Sequence, residues 1–171
     1  YVTNQMKNTK NIKPIVGVPN VHSEGSSDMY SKGSSVLHTI RSIVNNDSLW
    51  FLTLKSILNN FKHQTVDGSE VLDYISFKTG KKLDYIFKQY LYNAKLPEFQ
   101  YKLEKRNNNS ILKYRWEAIE NFNMPIKVTL NSTDYFEWIY PNDSWQEIVV
   151  NIRLDEFKIA EHLFLIDVKK L

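Results

Sequence analysis

Histidines are the first residues to weigh for chemistry, because imidazole is both a common metal ligand and a general base near neutral pH. The chain has four: His22, His38, His63 and His162. None belongs to a His-Glu-x-x-His motif, and no two stand at i and i+4, the spacing that puts two ligands on one helix face. Only Glu161-His162 sets a carboxylate beside an imidazole. Surface and packing roles are expected for all four. Zero cysteines exclude disulfides, thiol catalysis and Cys-ligated zinc. There is no Gly-x-Ser-x-Gly elbow and no phosphate-cradling glycine loop. By composition and spacing alone the chain holds no complete catalytic machine.

A different segment concentrates usable groups: Asp28-Met29-Tyr30-Ser31-Lys32-Gly33, running into Val36-Leu37-His38-Thr39-Ile40-Arg41. Tyr30 offers a phenolic O–H, a donor able to stabilise an oxyanion in a water-poor site. Taken alone, it reads as an ordinary aromatic at a helix start. Lys32 reads as a solvated side chain. Gly33 early in a helix costs about 1 kcal/mol relative to alanine, which predicts a turn that approaches another backbone closely. Asp28 is a candidate N-cap, and His38, off the apolar face, is expected in polar packing.

The elements that must hold these groups can be read from hydrophobic period. Residues 1–27 carry Pro14, Gly17, Pro19 and Gly25 without a sustained pattern, an irregular lead-in whose Ile12-to-Val18 patch is expected to pack on the rest of the chain. Val36, Leu37, Ile40, Ile43 and Val44 then share one helical face. Asn45-Asn46-Asp47 breaks it, with Asp47 as the next N-cap. Trp50, Leu54, Ile57, Leu58 and Phe61 mark a second helix. Asp67 and Glu70 form a capping box for a third, which buries Val71, Leu72 and Ile75 and stops at Gly80. Leu83, Ile86, Phe87, Tyr90 and Leu91 make a fourth, closed by Pro97. Four amphipathic helices with short joints predict a bundle or a helical layer.

After Pro97 the period falls to 2. Phe99-to-Leu103, Leu112-to-Trp116, Ile126-to-Leu130, Phe136-to-Tyr140, Ile148-to-Ile152 and Leu163-to-Val168 alternate apolar with polar. Asn107-Asn108-Asn109, Asn131-Ser132 and Pro141-Asn142-Asp143 supply turns. Six short strands predict a small antiparallel sandwich or barrel, so the chain reads as α+β: a helical part over 1–97 and a β part over 98–171.

A chain of 171 residues, 42% hydrophobic and 13% aromatic, is neither disordered nor too short for a core. No apolar run reaches the about 18 residues of a membrane-spanning helix. The net charge of +3 divides unevenly: residues 1–97 hold 12 Lys/Arg against 7 Asp/Glu, and residues 98–171 hold 10 against 12. The excess is scattered, so it reads as solvated faces, with neither nucleic acid nor membrane as partner. The start at Tyr1, without an initiator methionine, suggests a fragment or a processed product.

Tyr30-Ser31-Lys32-Gly33 with Leu37, Ile40 and Arg41 resembles the Tyr-x-Lys-Gly-x-x-x-Leu-x-x-Leu/Ile-Arg element of the gluzincin zinc aminopeptidases, the family of aminopeptidase N and leukotriene hydrolase. Phe61 with Thr65-Val66, Thr79-Gly80 with Phe87-Lys88-Gln89-Tyr90-Leu91, and Leu96-Pro97-Glu98-Phe99 resemble the family's next elements in order. Trp116 and Phe122-Asn123-Met124-Pro125-Ile126-Lys127-Val128 look like strands of its bacterial members, particularly of the Bacteroidetes type. The resemblance implies the last helices of a thermolysin-like catalytic domain followed by an immunoglobulin-like sandwich. It implies one zinc ion in the parent enzyme, peptide substrates cut at the amino-terminal bond, and Tyr30 as the catalytic oxyanion donor.

The departure is equally specific. The family's His-Glu-x-x-His, its following Glu and its Gly-x-Met-x-Asn strand occur nowhere in the chain. The resemblance therefore implies the carboxy-terminal piece of a longer peptidase. Its zinc ligands lie upstream, its remaining partner is that missing zinc-bearing part, and the piece alone binds no cofactor and is inactive. A rival reading is a free-standing protein- or glycan-binding module, with Trp138, Tyr140 and Trp145 as a sugar platform. Alternation, however, turns Trp138 and Tyr140 toward the core.

Overall fold

The computed structural model describes residues 2–17, 26–106 and 109–171. Val18, Pro19, His22, Gly25 and the Asn107-Asn108 turn lie outside them. In chain order the elements are α1 (Val2–Lys7), α2 (Asp28–Val44), α3 (Asp47–Phe61), α4 (Gly68–Thr79), α5 (Asp84–Tyr92), β1 (Glu98–Arg106) and β2 (Asn109–Glu117). Then come β3 (Ile126–Val128), β4 (Glu137–Ile139), β5 (Gln146–Val150), two short 3-10 turns and β6 (Asp167–Lys170). The described lead-in is not wholly irregular, since it begins with α1. Its apolar patch packs only in part: Ile12 is exposed, while the Val16 N–H donates to the Leu91 carbonyl of α5 at 2.9 Å.

The helix signals behave as the chemistry of caps dictates, with one shift. Asn45, at φ 52°, ends α2 in the left-handed conformation, and its N–H reaches the Arg41 carbonyl. The α3 N-cap is Asn46 rather than Asp47: its side chain accepts from the Leu49 N–H at 3.0 Å. Asp47 becomes the first helical residue and binds Arg41 through two hydrogen bonds of 2.8 and 2.7 Å. At α4 the Glu70 carboxylate accepts from the Asp67 N–H at 2.8 Å, and Gly80 closes the helix at φ 64°. Two apolar residues placed on buried faces are instead on the surface, Leu37 at 44% and Leu58 at 73% exposure.

β1 and β2 pair antiparallel over nine residues, and β5 adds to the far side of β2. β6 lies along the other edge of β1 in parallel, giving the order β5-β2-β1-β6, while β3 and β4 form a separate hairpin. The all-antiparallel expectation is thus corrected at one pairing, and the sheet is mixed. The cause is local. Phe164 and Leu165 are adjacent and both buried, so this stretch is not an alternating strand. The Leu165 N–H donates to Thr39 Oγ1 of α2 at 2.9 Å, and its carbonyl accepts from the Tyr90 phenol of α5 at 2.7 Å. Held there, the chain reaches the sheet from the helical side, and the Asp167 N–H joins the Pro97 carbonyl at 3.0 Å. β4 is also out of phase with the expectation: Ile139 is its buried residue and Tyr140 is 67% exposed.

Helices and strands contribute to one apolar core. Ile40, Leu83, Ile86 and Tyr90 meet Phe99, Trp116, Phe122, Met124 and Phe164 in it. Trp116 is its largest fully buried side chain. Burial pushes the Tyr90 phenol well above its ordinary value and the half-buried Tyr85 phenol up to about 12. Below pH 10 both phenols are protonated in folded and unfolded chains alike, so their contribution is complete. Above pH 10 the unfolded chain ionises first and the contribution is lost as pH climbs through the folded values. In a urea titration repeated at rising pH these phenols are expected to pull the midpoint down once the ordinary phenol value is passed; a midpoint still rising through about pH 11 would contradict this.

Candidate functional site at the start of helix 2

The first turn of α2 gathers the residues singled out by sequence. Asp28 opens the helix and is 2% exposed. It is not the N-cap; Ser27 is, and the Asp28 N–H donates to Ser26 Oγ at 3.2 Å. The Asp28 carboxylate faces the lead-in, accepting from the Lys10 N–H at 2.9 Å and the Asn11 N–H at 2.6 Å. An anion at a helix N-terminus is favoured by the exposed N–H dipoles, and here it also ties down the preceding chain.

Lys32 corrects the expectation of a solvated side chain. It is fully buried. Its Nζ donates to the Asn93 and Ala94 carbonyls at 2.8 and 2.9 Å, fastening α2 to the chain just after α5. Burial lowers its pKa, opposed in part by the Asp28 charge. The signal was available in the spacing: Lys32 stands four residues before Val36 and eight before Ile40, on the apolar face of α2. Because the folded value lies below 10.5, the unfolded chain binds this proton more tightly, and the group makes stability rise with pH on the way to 10.5. Lys32→Met is expected to lower stability by about 1–3 kcal/mol, because two carbonyls lose a charged donor, and to remove that rise. Denaturant midpoints across the alkaline range check both; an unchanged midpoint would show the bonds to be dispensable.

Tyr30 belongs to the same turn but points away from these contacts. Its side chain is 75% exposed, and its hydroxyl makes no hydrogen bond among the described residues. Gly33 and Leu37 lie three and seven residues on, along the same stripe of α2. A Cβ added at Gly33 would meet nothing within 4 Å, so the close backbone approach expected of it does not occur within the described chain. The stripe is an open surface: phenol, bare backbone, then a Leu37 that is 44% exposed. Met29 beside it is 45% exposed.

His38 is half-buried, with Nε2 3.2 Å from the His162 carbonyl, so this nitrogen carries the proton. Burial is the main cause of its lowered pKa. His162 packs its ring against Phe136 at 6.0 Å, and His63, in the turn just beyond the Lys62 C-cap of α3, is in the left-handed region at φ 59°. Among the described residues no group of three or more His, Asp or Glu is placed to hold a metal ion. The aromatic platform is not a bare one either. Lys127 lies over the Trp138 ring at 4.6 Å, and Arg115 and Lys102 lie over Trp145 at 5.0 and 5.7 Å.

Among the described residues no helix is long and apolar enough to cross a membrane. Neither a known family's model nor a curated protein matches the sequence. Among solved structures, aminopeptidase A of Legionella pneumophila, determined in complex with aspartic acid, is similar at a TM-score of 0.68 and 13% identity. The match covers 84% of this chain but only 18% of that one. The chain therefore has a mixed α+β fold that recurs as a minor part of an aminopeptidase.

Proposed function

We propose that this chain is the carboxy-terminal portion of a longer zinc aminopeptidase of the gluzincin class. In this reading residues 1–97 end a thermolysin-like catalytic domain and residues 98–171 form a reduced immunoglobulin-like sandwich. The observation that carries it is the fold shared with an aminopeptidase over 84% of the chain, with Tyr30 exposed on the first turn of α2. The order Tyr30-Ser31-Lys32-Gly33 supports the same assignment.

Tyr30 then acts as the hydrogen-bond donor to the oxygen that gains charge when a peptide carbonyl is attacked. A donor fixed in place before the reaction stabilises charge that exists only in the intermediate, so it accelerates the chemical step. The buried Lys32 and Asp28 contacts hold the turn that presents it. The described residues of this chain do not fit a zinc ion, so its ligands belong to the upstream polypeptide in this reading. The open stripe of Tyr30, Gly33 and Leu37 is the surface that upstream part and the peptide substrate would cover, with the bare Gly33 giving them room.

The test is hydrolysis of aminoacyl fluorogenic substrates, with added zinc, by the longer polypeptide and by the 171-residue chain. Turnover by the longer form alone is expected. Turnover by the short chain, abolished in Tyr30→Phe, would overturn the upstream placement of the ligands, and none by either form would overturn the peptidase reading.

A further inference from the structure

A cleft of about 660 Å³ opens between the end of α2, the α4–α5 turn and the β3–β4 hairpin, well inside the size range of sites for small ligands. Lys81, Lys82 and Tyr85 face into it from the helical side, and Asn123, Trp138 and Tyr140 from the strand side. No Asp or Glu is part of its lining. Lys81 and Lys82 are exposed, and among the described residues neither has a carboxylate within ion-pair distance. Two adjacent ammonium groups over a wall without acids favour an anion. Tyr140 is 67% exposed, and Pro125 and Pro141 extend the apolar surface beside it.

The polar groups are as telling. Tyr85 packs edge-on against Phe122 at 5.5 Å, and with its phenol pushed up to about 12 it remains a protonated donor. Asn123 is exposed and its amide makes no hydrogen bond among the described residues, leaving a donor and an acceptor together. That pairing matches a peptide unit. A sugar ring is less well served. One side of Trp138 already carries Lys127, the Asn45 Oδ1 accepts from that lysine at 3.0 Å, and the Asn142 Oδ1 accepts from the Ser144 N–H at 2.8 Å.

We propose that this cleft binds a short, extended acidic peptide, its carboxylates on Lys81 and Lys82, its apolar side chains against Trp138 and Tyr140, and a peptide unit on Asn123. The site is separate from the Tyr30 surface and does not depend on the peptidase reading. Calorimetric titration of the 171-residue chain tests it with three probes: a capped peptide of alternating glutamate and phenylalanine, its lysine-for-glutamate counterpart, and a uronic-acid disaccharide. The acidic peptide is expected to bind, more weakly as salt is raised to about 0.15 M. The double variant Lys81→Glu, Lys82→Glu is expected to weaken it about tenfold or more and to gain affinity for the basic peptide. Both lysines are exposed, so the fold should survive, and Tyr140→Ala gives a second, uncharged perturbation. Equal binding of both peptides, indifference to the double variant, absence of binding, or preference for the disaccharide would each overturn the assignment.

Discussion

If the chain belongs to the longer peptidase proposed above, Tyr30→Phe made in that polypeptide is expected to lower kcat by about 10²–10³, or roughly 2.7–4 kcal/mol of transition-state stabilisation, with KM nearly unchanged. The substitution removes one oxygen and leaves the ring. With Tyr30 75% exposed and its hydroxyl free of intramolecular bonds among the described residues, folding should be unaffected to within about 0.5 kcal/mol. A loss of rate without a loss of stability separates a donor to the reacting oxygen from a structural residue. Steady-state kinetics and a thermal melt, run on the same preparation, decide it. A kcat within about twofold of the parent's would remove Tyr30 from the chemistry, while a fall in melting temperature matching the fall in rate would make it structural.

Trp116→Ala carries the largest expected effect on stability. Trp116 is 1% exposed, meets Phe99 and Phe122 edge-on at 5.4 and 5.3 Å, and donates its Nε1–H to the Met124 carbonyl at 2.9 Å. Truncation opens a cavity and orphans that carbonyl, at a combined cost of about 3–5 kcal/mol. A domain of this size has about 5–15 kcal/mol in total. At about 2–4 °C per kcal/mol, the melting temperature should fall by roughly 6–20 °C. Trp116→Phe keeps most of the packing and loses only the N–H, so it should cost markedly less. If the two variants melt together, the hydrogen bond rather than the volume is what matters there.

Period and punctuation made the helices and most strands legible. The Asp67–Glu70 box, the Gly80 stop and the inward Leu112, Tyr114 and Trp116 were all readable because each depends on neighbours close in sequence. What escaped depends on distant partners. Lys32 read as solvated because lysine usually is; the spacing puts it on the apolar face of α2, but the two carbonyls that receive its ammonium group lie some sixty residues away. The parallel placement of β6 depends on Thr39 and Tyr90 reaching Leu165, and no local pattern around Leu163 to Val168 encodes them. At β4 a three-residue strand offered too few positions to fix its phase against the core. Within the candidate site, the motif singles out Tyr30 as an expectation, whereas its exposure and the emptiness around Gly33 were not visible in residue types. The cleft could not be foreseen, since its two walls come from residues 43–85 and 123–142 and meet only in three dimensions.

The peptide groups of Leu165 also shape how the molecule comes apart. Leu165 is held on its amide side by one helix and on its carbonyl side by another, 51 residues apart in sequence (39 and 90). Pulling the C-terminal strand from the sheet therefore loads both helices, and loosening either helix removes one of the strand's two anchors. Such cross-linking by ordinary hydrogen bonds couples local breathing to global melting, so that the tail of the molecule inherits the resistance of its middle.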